Sequence, residues 1–277
     1  MSAPPDQGPR VIVAGVVNVT PDSFYDGGRW ASSDAAIARG LELAAEGADW
    51  LDVGGESTRP GSEPVPVSEE CARVLPVIQG LAKRCALPIS VDTRRAEVAD
   101  AALTRGARVV NAVSGLRDRA LADVCASHGA TLVLNHMRGE PATMQRTPSY
   151  TDVIGEVAQE LLADAALAEA AGVPRAQIWL DPGIGFGKHP RHSVELIARL
   201  SELVALGYPV LVGPSRKSFL AELTGVPADE RLPGTLAAAT ACVLEGAAGL
   251  RMHDVAAARQ AVDVAAAIRR ARTAGDS

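Results

Sequence analysis

Aromatic side chains are scarce in this sequence: three Phe, three Tyr and three Trp among 277 residues. With alanine abundant, that favours many helices lying close on a sheet. Lysine is scarcer still, with only Lys83, Lys188 and Lys217 against 24 arginines. No apolar run approaches the roughly 18 residues of a membrane-spanning helix. The opening MSAPPDQGPR lacks the basic-then-apolar layout of a secretory leader, and residues 1–10 are expected to form a disordered tail. Cys71, Cys85, Cys125 and Cys242 make neither a CxxC pair nor a zinc ligand set, as expected of reduced thiols in a cytoplasmic protein. A net charge of −6 argues against a nucleic-acid surface.

What is present is alternation. Short β-branched runs at 11–17, 49–53, 88–92, 107–111, 130–135, 177–181, 209–213 and 248–252 read as strands. Between them lie segments of helical period, among them SSDAAIARGLELAAEGA, SEECARVLPVIQGLAKR, DVIGEVAQELLADAALAEAAG and SVELIARLSELVALG. Ser32 or Ser33 and Ser68 are candidate N-caps, the latter followed by Glu69 and Glu70 in the first turn. Gly47, Gly106, Gly129, Gly172, Gly207 and Gly246 each precede a strand, where a helix-ending glycine belongs. Strands that are apolar almost throughout are buried on both faces, which means a parallel sheet covered by helices. Eight such units in about 250 residues suit a single (β/α)8 TIM barrel, an α/β fold, over residues 11–270, with a flexible tail at 271–277. The competing open doubly wound sheet would carry GxGxxG after its first strand, and none is there.

In such a barrel the chemistry sits at the C-terminal strand ends. Those ends carry Asn18, Asp52, Asp92, Asn111, Asn135 with His136, Asp181, Ser215 with Lys217, and Arg251 with His253. One polar strand end can simply cap a helix. A ring of them converging on one mouth is costly to bury without a ligand. Two carboxylates and an amide suit a flat heterocycle with an amino group beside a ring N–H and a carbonyl. Arg251 and His253 share one face of their strand and suit an anion or the face of a planar ring.

Seven ordered stretches, GVVNVTPDSFYDGG, DVGGESTRPGS, ISVDT, VVNAVSG, LDPGIGFGK, VGPSRKSF and RMHDV, make residues 11–268 resemble the dihydropteroate synthase family of the folate pathway. The resemblance implies a transferase that joins 4-aminobenzoate to 6-hydroxymethyl-7,8-dihydropterin diphosphate with Mg²⁺, releasing diphosphate by a dissociative, SN1-like path. It implies that Asp92, Asn111, Asp181 and Lys217 hold the pterin, with Arg251 packed on its face. Asn18, Arg251 and His253 hold the diphosphate, Asn18 also as the metal ligand. Phe24, Thr58, Arg59 and Pro60, from the loops after the first two strands, shape the 4-aminobenzoate pocket with Lys217 and Ser218; sulfonamides copy that substrate. The family also implies a homodimer through helices late in the barrel. Two alternatives share part of the pattern: a methyltetrahydrofolate-dependent methyltransferase and a catalytically silent pterin-binding paralogue. Three positions depart from the family: Ala112 in place of an acid, Asn135 in place of an apolar residue, and Pro214 before SRK.

Other residues carry plainer expectations. Glu56 fastens the second loop, Arg216 points away from the site to anchor its own loop, and Cys242 is an inert core thiol. His189 and His192 face solvent near a helix start, His128 ends a helix, and His136 is either structural or a ligand contact. The three tryptophans serve packing.

Overall fold

The computed structural model describes residues 10–19, 29–57, 62–146 and 148–274. All eight expected strands are present: β1 Ile12–Asn18, β2 Trp50–Gly54, β3 Ile89–Thr93, β4 Val109–Leu116, β5 Thr131–Asn135, β6 Ile178–Asp181, β7 Leu211–Val212 and β8 Gly249–Met252. Neighbours pair in parallel in the order β6-β5-β4-β3-β2-β1-β8-β7. A single parallel bridge, Leu180 to Val210, joins the two ends and closes the ring.

Strand alternation sorts side chains between the inside of the ring and the helices outside. On β4, Val110 and Ala112 belong to the main core under the helices. Val109 belongs instead to a separate cluster with Val133 and Leu211, against which Trp50 and Trp179 pack. The two tryptophans meet edge to face at 4.9 Å and fill the lower interior. Two residues up from Val109 on the same face is Asn111, and two residues up from Trp179 is Asp181. The aliphatic floor and the polar mouth are thus successive levels of one interior. Register sets Asp92 beside Asn111 and Asn135 beside Asp181. Ala112 faces away from Asn111 and is fully buried, so the missing acid leaves the interior wall unchanged.

Ten helices lie among the described residues: α1 Arg29–Ala45, α2 Val67–Ala82, α3 Ala96–Thr104, α4 Ala120–His128, α5 Val153–Ala170, α6 Pro190–Ala198, α7 Leu200–Val204, α8 Ser218–Thr224, α9 Leu232–Leu244 and α10 Val255–Ala274. All six glycines expected to end helices have positive φ, from 62° at Gly129 to 107° at Gly106, the left-handed region that a Cβ disfavours. Several expectations need correction. Helix α1 begins upstream of Ser32 and Ser33, and Pro66, not Ser68, is the N-cap of α2. The segment 193–207 is two helices, because Arg199 leaves helical geometry at φ −114°, ψ 24°. The chain is still helical from 271 to Ala274, so no tail starts at 271. Residues 1–9 and 275–277 lie outside the described residues. His192 does not face solvent: it is 4% exposed, accepts the His189 N–H at 3.2 Å and meets Tyr150 edge to face.

Glu70 departs from a simple helix-dipole role. It is completely buried and accepts the Thr93 hydroxyl at 2.6 Å and the Arg95 guanidinium. Burial raises its pKa despite those donors. Beside it Glu56 accepts from Arg94 at 3.0 Å and from the Val65 N–H at 3.1 Å. Glu56 therefore fastens the far end of the loop between β2 and α2, as its position suggested.

Candidate active site

The C-terminal ends of the strands open into a cavity of about 750 Å³. Every described residue given a binding or catalytic role from the sequence lines it: Asn18, Asp92, Asn111, Asp181, Lys217, Ser218, Arg251 and His253; Asp52 and His136 of the strand-end ring do not. Phe24, Thr58, Arg59 and Pro60 lie outside the described residues. Val113, Met144, Ile184 and Phe186 add apolar wall.

One side of the cavity is acidic. Arg251 donates from Nε to Asp52 Oδ2 at 2.5 Å and from a terminal nitrogen to Asp92 Oδ2 at 2.7 Å. The two acids are 3% and 9% exposed at their side chains, so one guanidinium spans two buried carboxylates. Burial is the largest influence on Asp92 and raises its pKa; Arg251 opposes this and Asp52 adds to it. Asp181 is raised in the same way by burial, against the Gly183 N–H that it accepts at 2.7 Å and the charge of Lys217. Asn111 reaches only a long contact to Asp52, at 3.4 Å. Oδ1 of Asp52, Asp92, Asn111 and Asn135 are all buried with no protein partner. Four unpaired acceptors around one interior call for a ligand rich in N–H donors.

The cavity's lysine follows β7, next to the strand that carries Asp181. Lys217 is the N-cap residue of α8, with its Nζ 3.7 Å from the centre of the Phe186 ring. Burial lowers its pKa and Arg251 lowers it further, while Asp181 and Asp92 raise it. His253 is not a cation here: burial and Arg251 hold its pKa down to about 3. Ser215 Oγ accepts the His253 backbone N–H at 3.2 Å and lies 2.9 Å from its Nδ1. In the tautomer in which the hydroxyl donates to Nδ1, Nε2–H is left as a donor for an anion.

Local sequence explains these placements. DPGIGFGK is a turn that only glycines can make: Gly183, Gly185 and Gly187 have φ of 67°, 81° and 59°. A Cβ on Gly183 would lie 1.9 Å from the His136 carbonyl oxygen. Arg216, next to Lys217, has φ 57° and clamps Asp254 at 3.0 and 2.6 Å. That pairing holds its loop against the start of α10, as expected, but Arg216 also contributes to the cavity lining and so does not point away from the site. His136 pairs with Lys188 and Glu160 and does not line the cavity.

Sequence reasoning placed Asp52 at a strand end but gave it no task. Its signal was there: it is two residues from Trp50 on β2 and so on the interior face. Lys188 carried no signal beyond being one of three lysines.

The pterin binding enzyme family profile matches residues 14–253. The dihydropteroate synthase of Synechocystis is 45% identical over 265 residues, covering 95% of this chain and 92% of that protein. That of Escherichia coli is 43% identical over 243 residues, with 88% and 86% covered. Among solved structures, the Yersinia pestis dihydropteroate synthase in complex with a sulfonamide drug superposes with a TM-score of 0.89 at 38% identity, covering 94% of this chain and 95% of that one. The Xanthomonas albilineans enzyme with 4-aminobenzoic acid gives 0.88 at 47% identity, with 94% and 93% covered.

Proposed function

The chain belongs to the dihydropteroate synthase family of pterin-binding enzymes, and we propose that its cavity joins 4-aminobenzoate to 6-hydroxymethyl-7,8-dihydropterin diphosphate, releasing diphosphate. The observation that carries this reading is the set of unpaired buried acceptors, Oδ1 of Asp92, Asn111 and Asn135, in the cavity that Lys217 also lines. A pterin offers an amino group and ring N–H groups to such acceptors and a carbonyl to a lysine. Asp92, Asn111, Asp181 and Lys217 hold it, with Arg251 against its face and at the diphosphate.

As the C–O bond to diphosphate breaks, positive charge grows on the pterin methylene, and the carboxylates of Asp92 and Asp181 oppose it. Arg251 and the Nε2–H of His253 meet the leaving group. Among the described residues no cluster of three or more His, Cys, Asp or Glu could hold a metal. One amide oxygen, that of Asn18, suits Mg²⁺ nonetheless, because this ion keeps waters and takes the rest of its shell from phosphate oxygens. When bound, Mg²⁺ supplies positive charge to the departing oxygens. The aniline nitrogen of 4-aminobenzoate is already nucleophilic, so holding it in line does most of the remaining work. Phe24, Thr58, Arg59, Pro60 and Ser218 are assigned to that second substrate.

A homodimer and a cytoplasmic site belong to the same reading. Val264 and Ile268, one turn apart on α10, are 62% and 42% exposed and offer apolar surface to a second copy. The cysteines are free among the described residues, and no described helix is long and apolar enough to cross a membrane. The test of function is diphosphate release that needs both substrates and stops when EDTA removes Mg²⁺. Pterin binding without release would mean a silent paralogue. Methyl transfer from methyltetrahydrofolate would mean the other enzyme class.

A further inference from the structure

Lys188, at the end of the DPGIGFGK loop, is 2% exposed and does not line the cavity. Its Nζ lies 2.9 Å from His136 Nδ1, 3.0 Å from the Phe186 carbonyl oxygen and 3.4 Å from the His136 carbonyl oxygen. None of these partners is a carboxylate, and a buried ammonium without an acid is expensive. The nearest acid in the chain of contacts is Glu160, whose Oε2 is 3.0 Å from His136 Nε2. With hydrogen on Nε2, the imidazole accepts from Lys188 and donates to Glu160, so every contact is satisfied.

We propose that Lys188 is a positioning residue for pterin binding: it ties the end of β5 to the β6–α6 loop and, through Phe186, sets where Lys217 sits. The proposal rests on the reading of the cavity as the pterin site. The two segments lie backbone on backbone, since a Cβ on Gly187 would come within 2.4 Å of the Arg138 carbonyl oxygen. Lys188 bonds across that contact to a carbonyl on each side. The Phe186 carbonyl belongs to the residue whose ring lies 3.7 Å from Lys217 Nζ, so releasing it frees the ring and the ammonium together.

Charge gives the same residue a second effect. Lys188 lowers the pKa of Asp181, against the burial that raises it. The other charged groups facing this pair are Lys217 and Arg251 on the cavity side, and Arg138 and Glu160 on the outer side. His136 between them stays neutral, its pKa pushed down to about 2 by burial and by Lys188. Burial lowers the Lys188 pKa to about 7, so the residue carries its charge below that pH, and removing that charge lets Asp181 take up a proton at higher pH.

The experiment is steady-state kinetics with Mg²⁺ on wild type, Lys188→Met and Phe186→Leu, with calorimetric Kd values for the pterin diphosphate. Lys188→Met is expected to raise the pterin KM and Kd about tenfold, the loss of roughly one charged hydrogen bond. The acidic limb of kcat/KM should move to higher pH. A merely structural lysine would lower Tm without moving that limb. Phe186→Leu keeps the buried charge and is expected to weaken pterin binding with the limb in place. An unchanged pterin Kd or an unmoved limb in Lys188→Met overturns the proposal. Should that variant fail to fold, an unchanged Kd in Phe186→Leu overturns it. A wild type that binds the pterin without releasing diphosphate refutes the catalytic reading instead, and the Kd values still decide the role of Lys188.

Discussion

Replacing Asp52 by Asn changes one charge and almost no shape, which makes it the cleanest probe of the acidic wall. The Asn oxygen can still accept from Arg251 Nε, now at 2.5 Å from Asp52 Oδ2. Its nitrogen would take the place of Oδ1, which has no partner to lose. A bond between two ions becomes one in which only the donor is charged, a weakening of about 1–1.5 kcal/mol within the roughly 1.5–3 kcal/mol range of bonds to charged groups. The guanidinium then leans on Asp92 alone and is held less firmly at the pterin. A loss of about 1–1.5 kcal/mol predicts a fall of about tenfold in kcat/KM for the pterin diphosphate. The pH dependence has a definite sign. Asp52 raises the pKa of Asp92 and Arg251 lowers it. Removing the first and concentrating the second keeps Asp92 ionised to lower pH, so the acidic limb of kcat/KM moves down. Diphosphate release followed from pH 4.5 to 9 checks both numbers. An unchanged kcat/KM, or a limb that moves up, would refute the idea that Asp52 tunes Arg251 and Asp92.

Asp181→Asn is expected to lower kcat/KM about 100-fold, a loss near 2.7 kcal/mol, while raising the Tm of the ligand-free protein at pH 8. Burial raises the folded pKa of Asp181, so the folded state loses stability as pH climbs from the ordinary carboxylate range through that pKa. Asparagine has no such slope; a scan showing equal Tm at pH 8 would count against it. Gly183→Ala sets a Cβ 1.9 Å from the His136 carbonyl oxygen at φ 67°. Destabilisation of about 3 kcal/mol or more follows from left-handed strain plus backbone displacement, and an unshifted urea midpoint would contradict it.

The interior face was legible because β-strands have a period of two. Once 107–111 reads as a strand, Asn111 and Ala112 must face opposite ways, and they do. Glycine punctuation was equally plain, since positive φ excludes most other residues. Helix starts were less legible: Ser68 had the right chemistry for a cap, yet Pro66 fixes the turn two residues earlier. His192 was misjudged because its burial depends on Tyr150, 42 positions away, which local pattern cannot report. The Lys188–His136–Glu160 chain was invisible for the same reason. Its members come from three segments that meet only when β5, α5 and the β6–α6 loop pack.

The ring is least securely joined between β6 and β7. Among the described residues, the Leu180–Val210 bridge alone pairs them, supported by the Leu180 N–H to Pro209 carbonyl bond at 2.9 Å. Asp181 stands on one bank of this join and Lys217 just beyond the other. A molecule gripped by both acts as a latch across the weakest stave of the barrel, and part of its binding energy goes into closing the wall that holds it.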